Sequence, residues 1–98
     1  MRTMLKVTMD IDAGNKAFQT GELPKIIASL SEKIHPEATY FTSYEGNRTA
    51  FFFFDMTDSS NMPFFFEPIF EKLKAKIELM PCMTPDDLQK GFQKLMGS

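Results

Sequence analysis

Four consecutive phenylalanines, Phe51-Phe52-Phe53-Phe54, follow Ala50 near the middle of this chain. In an extended strand successive side chains point to opposite faces, so the run sets two rings on each side of the sheet it joins. A strand covered on both faces accommodates all four, and that constrains the fold more than any other feature of the sequence. The run lies within Arg48 to Met56, which follows Thr39 to Glu45, a stretch rich in β-branched and aromatic residues. With Gly46-Asn47 between them, the two stretches read as a β-hairpin.

The other elements follow from periodicity. Leu5, Val7, Met9 and Ile11 alternate with Lys6, Thr8 and Asp10, which predicts a first strand over residues 4 to 11. Asp12-Ala13-Gly14-Asn15 breaks the alternation. Leu23, Ile26, Ile27, Leu30 and Ile34 then recur at helical spacing, predicting a helix over residues 22 to 34 that starts near Pro24 and stops before Pro36. Residues 13 to 20 form either a separate turn or a short preceding helix. Asp58-Ser59-Ser60-Asn61 supplies capping side chains for a helix carrying Phe66, Ile69, Phe70 and Leu73, with Pro63 in its first turn and Pro68 inside it. Lys76 to Met83 has the length of a fourth strand, and Pro81 confines that strand to an edge or Pro81 to its end. Thr84-Pro85-Asp86-Asp87 opens a last helix with Leu88, Phe92 and Leu95 as its apolar stripe.

The order β-α-β-β-α-β plus a C-terminal helix predicts one α+β domain spanning residues 1–98, of the ferredoxin-like kind, with a four-stranded antiparallel sheet backed by helices on one face. The strand pattern, the aromatic third strand, the Phe-rich second helix and the ending Ile77-Glu78-Leu79-Met80-Pro81-Cys82-Met83-Thr84-Pro85-Asp86-Asp87-Leu88 resemble the dimeric α/β-barrel superfamily. The resemblance implies two sheets facing one another around a cavity, in the barrel or between sheet and helices. It carries over no catalytic signature. Some members of that superfamily bind haem or oxidise polycyclic aromatics, but this chain has no histidine in its second helix and no tryptophan, so the haem-degrading arrangement is not carried over.

With Leu5, Val7, Met9 and Ile11 turned toward the helices, the opposite face receives Lys6, Thr8 and Asp10 from strand one, Phe51, Phe53 and Asp55 from strand three, and Tyr40, Thr42 and Tyr44 from strand two. Several hundred Å² of such mixed aromatic surface left in water marks a binding face. The cover that requires no second gene product is another copy of the chain, so a homodimer is expected. Setting Lys6, Thr8 and Asp10 opposite Asp55, Phe53 and Phe51 puts a Lys6–Asp55 ion pair on that face, either perturbed for ligand binding and proton transfer or merely neutralising two charges. Tyr40 and Tyr44 present hydroxyls to an aromatic ligand or simply fill the strand. The ligand-binding set is thus Lys6, Thr8, Asp10, Tyr40, Tyr44, Phe51, Phe53 and Asp55.

Other chemistries find little footing. A net charge of −2 with the charges interspersed gives no cationic stripe for phosphates, and the Phe run lacks the glycine of an RNA-recognition motif. One histidine, His35, and one cysteine, Cys82, give no metal-ligand spacing. His35 precedes Pro36 at a helix end, where a charged imidazole suits the helix dipole. No cofactor, metal, nucleic acid or membrane is expected, and the absence of a signal peptide or spanning segment suits the cytoplasm. Three functions stay open: binding of a small, mostly apolar or aromatic molecule; a cofactor-independent monooxygenase or isomerase using Asp10, Asp55, Tyr40 or Tyr44; and a purely structural or partner-binding domain.

Overall fold

The computed structural model describes residues 1–97. The elements run β1 (Arg2–Thr8), α1 (Ile11–Thr20), α2 (Glu22–Ile34), β2 (Ala38–Tyr44), β3 (Asn47–Asp55), a single 3₁₀ turn (Ser59–Asn61), α3 (Met62–Leu73), β4 (Lys76–Pro81) and α4 (Pro85–Leu95). The four strands form one antiparallel sheet in the order β2-β3-β1-β4, consistent with a ferredoxin-like arrangement.

One face of the sheet carries the core. Leu5 and Val7 of β1, with Met9 just beyond it, and Ala50, Phe52 and Phe54 of β3 are buried against Ile26, Leu30 and Ile34 of α2 and Phe66, Ile69 and Leu73 of α3. On the helices those residues recur three or four apart, one turn at a time, which is what sets them on a single stripe. Each such side chain removed from water contributes roughly 1.5–3 kcal/mol. The Phe54 ring meets Phe65 edge to face at 6.3 Å, tying the end of β3 to α3.

Four sequence expectations are corrected. Strand one stops at Thr8, because Asp10 turns to cap α1 and accepts a hydrogen bond from the Ala13 amide. Ile11, expected in the core, is the first residue of α1 and lies exposed. The hairpin turns at Glu45-Gly46 rather than Gly46-Asn47. Both of its central residues have positive φ, 52° and 82°, which suits glycine at the second position. Asn47 begins β3 instead, and its side-chain Nδ2 donates to the Met9 carbonyl at 2.9 Å. Finally, Lys6 pairs with Phe51 and Arg2 with Asp55, so the expected Lys6–Asp55 register is displaced by four residues.

The short preceding helix is α1, one of the two forms expected for that stretch. It is separated from α2 by Gly21, whose φ of 79° ends one helix and starts the other. Strand four ends at Pro81, two residues short of Met83, where the missing N–H interrupts no ladder. Inside α3, Pro68 removes the donor that the Phe64 carbonyl would otherwise meet. The Lys33 ammonium on α2 donates to that carbonyl at 3.2 Å and lies over the Phe64 ring.

Candidate functional site: the open sheet face

Among the described residues no helix covers the other side of the sheet. The ladder orders its side chains in rows: Ala38, Phe53, Met4 and Met80; then Tyr40, Phe51, Lys6 and Glu78; then Thr42, Thr49, Thr8 and Lys76. Phe51, Phe53, Met4, Lys6 and Thr8 are half-buried by their neighbours, whereas Tyr40 at the β2 rim is 63% exposed. The rings of Tyr40 and Phe53 meet edge to face at 6.4 Å. This is an aromatic floor with a threonine row at one end.

Lys6 is the polar centre of that floor. Its side chain is only 17% exposed. The ammonium stands 3.8 Å from the centre of the Tyr44 ring and 4.0 Å from Glu78. An ammonium over an aromatic face is held by the ring quadrupole, worth about 0.5–1 kcal/mol where water has access and more once water is excluded. Two groups of its own chain thus fix the position of the Lys6 ammonium on the face. A molecule lying on Phe51 and Phe53 would meet one cationic donor on an otherwise apolar surface.

The ladder places seven of the eight expected residues, Lys6, Thr8, Tyr40, Tyr44, Phe51, Phe53 and Asp55, on one face of the sheet. Asp10 is set apart as the cap of α1. Asp55 lies at the end of β3, exposed, and pairs with the N-terminal ammonium of Met1. The partner that Lys6 does have, Glu78, was missed. Its signal was present in the element order, since β4 flanks β1 in a ferredoxin-like sheet and antiparallel alternation puts one of its acids beside Lys6.

At the end of the face where β1 begins, Arg2 forms a two-pronged hydrogen bond with Glu37 and comes within 3.9 Å of Asp87 on α4. The hydrogen bond from Arg2 holds the Glu37 carboxyl below its usual range. Asp87 is held low chiefly by the Thr84 backbone N–H, with the Thr84 side chain, Lys90 and Arg2 adding to it. Opposite, between α2 and α3, lies a groove of about 240 Å³ floored by Ile26, Leu30, Phe65 and Ile69 and rimmed by Lys25, Lys33 and Lys72. Lys33 is already engaged at the Phe64 carbonyl, and Glu22 and Ser29 add polar groups to the lining. Among the described residues no cluster of His, Cys, Asp or Glu has metal-binding geometry, and no helix is long and apolar enough to cross a membrane.

Fold and site together define a small α+β domain with a four-stranded antiparallel sheet, one face of which is aromatic and uncovered by any described helix. No family model matches the chain, and comparison with curated proteins and with solved structures finds no match.

Proposed function

We propose that the chain is a homodimeric binding domain of the dimeric α/β-barrel kind, in which two open sheet faces oppose one another and enclose a small, mostly apolar or aromatic molecule. The observation that carries this reading is Lys6, a part-buried ammonium fixed by Tyr44 and Glu78 at the centre of a face built from Phe51, Phe53, Met4 and Tyr40. Rings in such numbers on an uncovered sheet favour association, because every apolar Å² removed from water contributes about 25 cal/mol. The Lys6–Glu78 pair is close to neutral overall, so the matching ligand is a flat hydrocarbon body with one hydroxyl or carbonyl acceptor.

Sedimentation at micromolar concentration, followed by amide NMR titration with 1-naphthol as the probe, tests this. A dimer whose Lys6, Tyr44, Phe51 and Phe53 resonances shift together is the expected result. A stable monomer, or shifts confined to Ile26 and Phe65 in the helix groove, would overturn it.

A further inference from the structure

The C-terminal helix is built to last at its start and unsupported along its length. Thr84 accepts from the Asp87 amide and Asp87 accepts from the Thr84 amide, a complete capping box, with Pro85 in the first turn. Yet none of its residues is buried. Leu88, Phe92 and Leu95, one helical turn apart in sequence, form an apolar stripe in water, and Leu95 is 82% exposed. An isolated helix of this length is marginal in water, caps or no caps. The radius of gyration is 15.8 Å and the longest axis 56 Å, against about 13 Å of radius for a compact chain of this size. So α4 projects from the body instead of folding back on it.

The areas point to what the stripe is for. Taking a whole large side chain as roughly 200 Å², the exposed parts of the open sheet face come to on the order of 400 Å² per protomer. That is about half of the roughly 800 Å² each partner contributes to a stable interface. Met83, Leu88, Phe92, Leu95 and Met96 add on the order of 600 Å² by the same measure. The two apolar surfaces are each too small alone and sufficient together. They also share an origin, because Arg2, whose strand position alternates onto the open face, reaches Asp87 in the first turn of α4.

We infer that α4 is an exchanged arm: in the dimer its Leu88–Phe92–Leu95 stripe lies on the second copy's open face, at the β2 rim where Tyr40 is most exposed, and closes the side of the ligand space there. The inference rests on the dimer reading and adds that each site is incomplete without the other copy's α4. The occupant is a second copy of this chain because a single chain holds both halves of the match in equal number, which is what a two-fold pair requires.

Leu88→Glu/Phe92→Glu tests the arm in the full chain, since both side chains are exposed in the protomer and their replacement leaves its core intact. Sedimentation is expected to show association weakened on the order of 100-fold. A nitroxide on Gln89→Cys, in a Cys82→Ser background, mixed with isotope-labelled partner, is expected to broaden the Tyr40 and Tyr44 amides of the labelled chain. Wild-type dimers whose association the double substitution leaves unchanged would overturn the arm and leave the sheet-to-sheet pair standing. Broadening elsewhere on the labelled chain would do the same, and a monomeric wild type would overturn both.

Discussion

Phe52 and Phe53 are adjacent in sequence, share a strand and differ only in the side they face. Phe52 is buried between sheet and helices, so Phe52→Ala removes a ring from a packed core and is expected to cost about 3–5 kcal/mol of unfolding free energy. Phe53 is half-buried on the open face, where its ring meets Tyr40 and no helix. Phe53→Ala is therefore expected to cost roughly 1 kcal/mol in urea melts of dilute protomer, yet to weaken self-association measurably. Equal losses for both variants in dilute melts would mean that a protomer already shelters both faces. The alternation that separates the two rings was legible in the sequence, because period two assigns a face to every residue of a strand. The partner of each residue was not. Displacing the β1–β3 register by four leaves every side chain on its own face, so Lys6 opposite Asp55 and Lys6 opposite Phe51 satisfy the same pattern.

At the scale of elements, boundaries were decided by groups that do two jobs. Asp10 continues the alternation of β1 and also caps a helix, and capping prevailed: its carboxylate accepts from the Ala13 amide, a first-turn N–H that has no partner within the helix itself. Pro68 was legible as an oddity within α3, but its compensation by Lys33 comes from another helix and has no local signature. Pro68→Ala restores an N–H for the Phe64 carbonyl. It is expected to raise stability by on the order of 1 kcal/mol, less than the roughly 3 kcal/mol of a helix-interior proline because Lys33 supplies part of what is missing. Lys33→Met should then cost a few tenths of a kcal/mol with Pro68 present and less in Pro68→Ala, a coupling that a double-mutant cycle of denaturant melts reads directly. The cap of α4 carries its own pH dependence. The hydrogen bond from the Thr84 amide holds the Asp87 carboxyl below its ordinary value of 3.8, so it favours the folded helix above that value. The contribution is lost as pH falls through the lower folded value. Cα shifts of Leu88 to Phe92 are expected to move toward coil on acidification below about pH 4, and Asp87→Ala to show the frayed values already at neutral pH. Shifts that stay constant across that window would separate the helix from its cap.

A 98-residue chain that spreads over 56 Å presents more apolar surface than its core can enclose. Nothing in the sequence distinguished an α4 folded onto its own sheet from one directed outward, since both bury the same stripe and differ only in whose surface receives it. What differs is how the free energy depends on concentration. If α4 and the open face are satisfied within one protomer, unfolding is unimolecular and the melting temperature is indifferent to protein concentration. If they are satisfied between two, folding and association form a single equilibrium, and each tenfold rise in concentration favours the dimer by about 1.4 kcal/mol. For a pair of this combined length, 1 kcal/mol corresponds to roughly 2–4 °C, so scanning calorimetry from about 5 to about 500 μM is expected to raise the midpoint by roughly 5–10 °C. Leu88→Glu/Phe92→Glu should flatten that slope and lower the midpoint at every concentration. A midpoint independent of concentration in the wild type would place both apolar surfaces in a protomer that stands alone.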